Sequence, residues 1–88
     1  MTTHPSSLQF PCEFLFKIFG KATDEFEIAV LSIIRKHTDE LKENAIRCRP
    51  SKDGNYMALT ITILAQSQEQ LDNIYRELSS NPLVLMVL

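Results

Sequence analysis

A chain of 88 residues, 44% apolar and 23% charged, builds one domain around one core and has no room for a second. Its formal charge of −2 leaves no strong electrostatic footprint for nucleic acid or an anionic membrane, and no stretch reaches the ~20 apolar residues that cross a bilayer. Cys12 and Cys48 have neither CxxC spacing nor accompanying histidines, which argues against a zinc site or a disulfide framework.

The polar opening, residues 1–9, reads as a flexible tail ahead of a single domain over residues 10–88. It lacks the basic-then-apolar order of a secretory signal, so the cytoplasm is the expected location. From Cys12 to Phe19, alternation of Phe14, Phe16 and Ile18 with Leu15, Lys17 and Phe19 predicts a strand that Gly20 ends. From Thr23 the period changes. Phe26, Ala29, Val30, Ile33, Ile34 and His37 fall on one helical stripe, with Thr23 or Asp24 as cap. Asp24, Glu25 and Glu27 crowd its first turn and Arg35, Lys36 and His37 its last, as the helix dipole favours.

Ala45 to Pro50 predicts a second strand, placed at an edge because Pro50 has no N–H for a ladder. Ser51 to Asn55 follows as a turn whose Asp53-Gly54 pair supplies positive φ, and Tyr56 to Ala65 is a third strand rich in β-branched residues. Ser67 with Gln70 matches a capping box, and Leu71, Ile74, Tyr75 and Leu78 form the stripe of a second helix. Leu83 to Leu88 is the last strand. Two helices with one apolar stripe each cover one face of a four-stranded sheet, so the fold class is α+β. Right-handed crossovers make it a ferredoxin-like two-layer sandwich, β-α-β-β-α-β, with an antiparallel sheet of order 4-1-3-2. Cys12 and Cys48 then sit on strands separated by a third, roughly 9 to 10 Å apart, too far to be bridged.

The uncovered face is the first functional clue. Leu15 and Phe19 lie there beside Leu83, Val84, Leu85, Met86, Val87 and Leu88, a last strand so uniformly apolar that either parity leaves hydrophobic side chains outside. The expected consequence is a homodimer, by edge pairing or by stacking of open faces, or another protein partner on that face; the plainer alternative folds Leu8 to Pro11 over it. The loop end is the second clue. Gly20, Lys21 and the start of the first helix share an end of the molecule with Arg49, Ser51, Lys52, Gly54, Asn55 and Tyr56, which together have the ingredients of a carboxylate or phosphate site. Against it, Asp24, Glu25 and Glu27 already occupy the same dipole, and the glycines and Ser51 and Asn55 have ordinary turn roles.

Phe10-Pro11 followed by Phe14, Lys17 and Gly20, then Pro50-Ser51 with Gly54-Asn55-Tyr56 and Ile61-Thr62, and finally Met86-Val87-Leu88, resemble the YbeD-like family of small bacterial proteins. The resemblance covers nearly all of the chain after Ser7, with Gly-Asn-Tyr as its most distinctive piece. It implies a ferredoxin-like domain similar to the ACT regulatory modules that bind amino acids, in a family sometimes labelled lipoate-binding regulators. No reaction comes with it, and it gives Cys12, Glu13 and Asp53 no role.

Enzymes of this fold are testable against their motifs. The turn after the first strand offers Lys21 where an acylphosphatase needs arginine, and it has no paired cysteines for copper. No Ser, His and Asp set converges, since His4 lies in the tail and His37 on the helical stripe. RNA-binding sheets stack bases on open-face aromatics. Phe19, Tyr56, Lys17, Arg47 and Arg49 imitate that, yet the third strand lacks the aromatic pattern and the pI is 5.6. The sequence therefore leads to a non-catalytic, cofactor-free regulatory or small-ligand-binding module, for a lipoate-related or amino-acid-like carboxylate. A protein-interaction adaptor using the open sheet is the alternative, and an RNA-binding module the third.

Overall fold

The chain runs through β1 (Cys12–Lys21), α1 (Asp24–His37), a short 3-10 turn (Glu43–Ala45), β2 (Ile46–Pro50), β3 (Tyr56–Ala65), α2 (Gln68–Ser80) and β4 (Val84–Val87). This is a computed structural model, and it describes residues 9–39, 41 and 43–88; apart from Gln9, the tail read over residues 1–9 lies outside the described residues. β1 and β3 pair antiparallel along their whole lengths, from Cys12 opposite Ala65 to Lys21 opposite Tyr56. β2 flanks β3 and β4 flanks β1, so the strand order is β2-β3-β1-β4, the ferredoxin-like order expected from the sequence.

Period-2 alternation decides which side chains meet the helices. Phe16 and Ile18 of β1 and Leu59, Ile61, Ile63 and Ala65 of β3 are buried beneath Phe26, Val30, Ile33 and Ile34 of α1 and Leu71, Ile74 and Leu78 of α2. Every one of these is apolar, and the described residues include no buried polar or charged side chain. Phe10 packs against the same core, while Gln9 and Pro11 are exposed.

Each helix is capped as its sequence requires. Thr23 Oγ1 accepts from Phe26 N at 3.1 Å and Ser67 Oγ accepts from Gln70 N at 3.1 Å, each satisfying an amide that the helix itself leaves open. The capping box at α2 is half formed. Gln70 Oε1 accepts from Gln66 N at 2.7 Å instead of from Ser67, and its Nε2 donates to the last carbonyl of α1, that of His37, at 2.7 Å. One glutamine thus satisfies donors and acceptors at the ends of both helices.

Four boundaries or faces differ from the sequence reading. Gly20 does not end β1; it pairs with Met57 and Val84 inside the sheet, where it is buried under Phe26. Ala45 belongs to the 3-10 turn, which leaves β2 starting at Ile46. β4 is Val84–Val87, with Leu83 in the preceding turn, although Leu88 still exchanges two backbone bonds with Lys17. Tyr75 is 51% exposed and so is not part of the α2 core stripe, because Gln70 and Glu77 turn toward α1 and rotate Tyr75 to the far flank.

Candidate functional site

The outward positions of the sheet form a continuous face free of helix cover. β1 contributes Glu13, Leu15, Lys17, Phe19 and Lys21; β3 contributes Tyr56, Ala58, Thr60, Thr62 and Leu64; β2 contributes Arg47 and Arg49. Cross-strand register puts Lys17, Thr60 and Arg47 in one row and Phe19, Ala58 and Arg49 in the next. Met86 lies opposite Phe19 at the β4 side. Leu15 is 55% and Leu64 51% exposed, and Lys17 Nζ stands 5.6 Å from the Phe19 ring centroid.

Charge is sorted between the two layers. The open face carries the four cations Lys17, Lys21, Arg47 and Arg49 against the single carboxylate Glu13, whereas α1 and α2 carry six carboxylates against Arg35, Lys36 and Arg76. A net charge near zero therefore hides a dipolar molecule. Among the described residues the ion pairs join Lys36 and His37 to Glu77, on the helix side, and none involves a cation of the open face. Toward the Ala65 end of the sheet the face dips into a concavity of about 650 Å³, lined by Glu13, Leu15, Arg47, Thr60, Thr62 and Leu64 among others. Arg47 and Glu13 give it one charge of each sign, the threonines give hydroxyls, and the leucines give aliphatic wall.

The interface residues expected from sequence divide into two groups. Leu15, Leu83, Leu85, Met86 and Leu88 are exposed and Phe19 is half-buried, while Val84 and Val87 turn inward and pack on the core. The loop-end residues also come together. Ala22 N donates to Asn55 O at 3.0 Å, which brings the β1–α1 turn against the β2–β3 hairpin. Their polar groups are largely used within the loop. Asp53 accepts from Ser51 Oγ, Asn55 N and Asn55 Nδ2, and Ser51 Oγ accepts in turn from Tyr56 N. The Ser51 hydroxyl first, and then the Asn55 amide, hold the Asp53 carboxyl below the usual carboxylate range. Gly54 takes φ 79°, the left-handed turn that the Asp-Gly pair called for. Lys52 lies in this loop, Lys21 is paired with Tyr56 and Arg49 with Ala58 on the adjoining strands, and Gly20 is buried.

Two other titratable groups are perturbed. Desolvation and the nearby charge of Glu27 raise the Cys48 thiol, which keeps it protonated and a weak nucleophile at neutral pH. Glu77 accepts from Lys36 Nζ and lies 2.8 Å from His37 Nε2; these hydrogen bonds, that of Lys36 first, lower its carboxyl. A carboxyl lowered in the folded state contributes stability above its unfolded pKa and loses it as pH falls through the folded value. The thermal midpoint should therefore decline on acidification below the ordinary glutamate range, and Glu77→Gln should flatten that decline while lowering the midpoint at neutral pH. Identical acid limbs in calorimetric scans of the two proteins would refute the pairing.

The concavity was not singled out from sequence. Its signal was the Thr60, Thr62, Leu64 alternation of β3, which gives the outward parity but not the fact that Asn44 and Ala45, in the turn before β2, border the same hollow. No group of three or more His, Cys, Asp or Glu able to hold a metal occurs among the described residues, and no helix among them is long and apolar enough to cross a membrane.

The architecture and its open, ungrooved-by-helix face define a ferredoxin-like α+β domain. A similar fold occurs in the solution structure of the C-terminal domain of the MgtC protein from Mycobacterium tuberculosis, with TM-score 0.67 and 20% identity over 92% of this chain and 88% of that one, a likeness that concerns the fold alone. Sequence goes further. Residues 5–88 match the family model described as "Protein of unknown function (DUF493)". A UPF0250 protein of Paraburkholderia phytofirmans is 41% identical over 99% of this chain and 98% of its own length. Those of Janthinobacterium sp. and Neisseria meningitidis are 45% and 46% identical, each over 94% of this chain and 91% of theirs. The chain belongs to this family of small bacterial proteins, the YbeD-like family resembled by its hairpin and termini.

Proposed function

We infer that this chain is a non-catalytic regulatory adaptor that docks an acidic, aliphatic-rich protein segment on its open sheet face. The observation that carries the reading is a set of exposed cations, Lys17, Arg47 and Arg49, that form no ion pair among the described residues and share the open face with exposed Leu15 and Leu64, Arg47 and the two leucines lining the hollow itself. Exposed cations beside aliphatic surface favour an anionic partner that also has apolar side chains to bury. A polynucleotide fits less well: the chain is net acidic, and the exposed hydrophobic side chains lining the hollow, Leu15 and Leu64, are aliphatic where base stacking needs rings. A small carboxylate at the loop end fits less well too, since Asp53, Ser51 and Asn55 bond one another and Asp24 and Glu25 oppose an anion there. The non-catalytic part of the reading rests on His37, which is engaged by Glu77 on the opposite layer from the hollow.

A labelled peptide of alternating Glu and Leu tests this, with a Lys and Leu peptide, poly(U), lipoate and an amino-acid mixture as competing occupants. Backbone amide shifts of the isotopically labelled domain should move at Leu15, Lys17, Arg47, Thr60 and Thr62 with the acidic peptide. The joint change Arg47→Glu and Arg49→Glu should weaken it about tenfold or more, a loss of about 1.4 kcal/mol. Shifts confined to Lys21 and residues 51–56 with lipoate or an amino acid would replace this reading with the loop-end ligand site. Equal displacement by poly(U) would replace it with RNA binding.

A further inference from the structure

The two edges of the sheet are unequally protected. β2 ends its edge with Arg47, Arg49 and Pro50, charges and a missing N–H that discourage a further strand. β4 has none of these, since Leu83 through Leu88 contains no charged residue and no proline. Its backbone is also open. Leu88 N donates to Lys17 O at 2.8 Å and Lys17 N to Leu88 O at 3.3 Å, so by antiparallel alternation Val87 directs its N–H and C=O groups away from β1. Leu85 is moreover the bulged residue, skipped between the Phe19–Met86 and Gly20–Val84 pairs, and it is 60% exposed.

A second feature lies directly above this edge. α2 packs over β4, with Leu71, Ile74 and Leu78 facing down and Gln70 and Glu77 facing α1. Helical spacing then puts Asp72, Tyr75 and Ser79 on the flank that overhangs the β4 edge, with Arg76 beside them. These residues border a shallow groove of about 360 Å³. Asp72 and Arg76 bond only neutral neighbours, Gln68 at 2.9 Å and Asn73 at 3.0 Å.

We propose that β4 pairs with β4 of a second copy, antiparallel about a two-fold axis at Met86, so that two four-stranded sheets join edge to edge and the two α2 helices lie antiparallel over the seam. Leu85 of each copy then stands opposite Val87 of the other, and the outward backbone groups of both edges are satisfied. Self-pairing, in preference to a foreign strand, follows from the charge order on α2. An antiparallel second α2 brings the Asp72 end of each helix against the Arg76 end of the other, and Tyr75 against its own copy near the axis. Stacking of open faces offers no such match, because it sets Lys17, Arg47 and Arg49 against themselves. The edge pairing leaves both open faces exposed on the same side, so it neither needs nor blocks the partner docking proposed above.

Sedimentation equilibrium of the full chain from about 10 μM to 1 mM tests it, spanning the affinities expected of a small interface. The expected result is a concentration-dependent rise from the 10.1 kDa chain mass to twice that value. Leu85→Lys, at an exposed position, should hold the chain monomeric with an unchanged far-ultraviolet spectrum. Asp72→Arg and Arg76→Asp should each raise the dissociation constant about tenfold, and the two combined should restore it, because only a two-fold pairing of α2 with itself exchanges those charges. A chain still monomeric at about 1 mM overturns the proposal. So does a dimer indifferent to Leu85→Lys, or one in which the combined change fails to rescue the single ones.

Discussion

Gly20→Ala is expected to destabilise the domain by about 3 kcal/mol, more than most single-atom insertions into a core, and to lower its melting temperature by about 12 to 24 °C. A Cβ at this position would stand 2.8 Å from the carbonyl oxygen of Leu83 and closer still to two carbons of the Phe26 ring. Neither neighbour yields easily. Phe26 is fully buried at the base of α1, and the Leu83 carbonyl belongs to the turn that delivers β4 to its place beside β1. The backbone at Gly20 needs no special φ, so the effect is one of space alone. Gly54→Ala is the matching control, with nothing within 4 Å of the added carbon but a φ of 79°, and it should cost about 1 kcal/mol from left-handed strain. Thermal melts that rank Gly54→Ala as the more damaging change would contradict the packing described for β1.

That glycine also marks where sequence reading stopped. A glycine after an alternating apolar run reads as a turn, because its usual service is positive φ; only the third dimension reveals that β1 continues through it to Lys21 and leaves room there for the Phe26 ring. Tyr75 failed for a related reason. It fits the apolar spacing of α2, but the rotation of that helix is fixed by polar ties to α1, through Gln70 and Glu77, which periodicity alone does not encode. The strand order, the buried stripes of Phe26 to Ile34 and the turn at Asp53-Gly54 were legible because each rests on a local pattern strong enough to decide alone.

The candidate face was half legible. Strand parity already placed Leu15, Phe19, Thr60 and Thr62 outward, so an uncovered face followed from counting helices against strands. Parity likewise put Lys17, Arg47 and Arg49 on that face, but the contrast between layers stayed hidden, since a net value of −2 averages a basic sheet with acidic helices. Register was required to set Arg47 beside Thr60 and Lys17, and Arg49 beside Ala58 and Phe19. The same register changes the meaning of the apolar last strand: two of its six apolar residues, Val84 and Val87, belong to the core, and what remains outside is concentrated on an edge.

Phe26→Ala is expected to be more damaging than any polar change described above, costing about 3 to 5 kcal/mol through lost transfer energy and the void left behind. A domain of this size has a total stability of order 0.05 to 0.15 kcal/mol per residue, so the variant should be partly unfolded at room temperature and show a urea midpoint near zero or a strongly reduced one. The void would open beside Gly20, between β1, the Leu83 turn and the start of α1. Gly20→Ala in that background should then cost far less than in the native protein, because the new methyl enters space the ring has vacated; a residual penalty should persist from the Leu83 carbonyl, which the ring's removal does not move. The coupling between the two changes is expected to be about 1 to 3 kcal/mol, the range for residues in direct contact. Urea titrations carried out with a bound stabiliser, or on Phe26→Leu where Phe26→Ala is too unstable to measure, give the same cycle with smaller amplitudes. Strict additivity would mean that Gly20 is constrained by something other than the Phe26 ring, and the joint between the first helix and the last strand would have to be built differently.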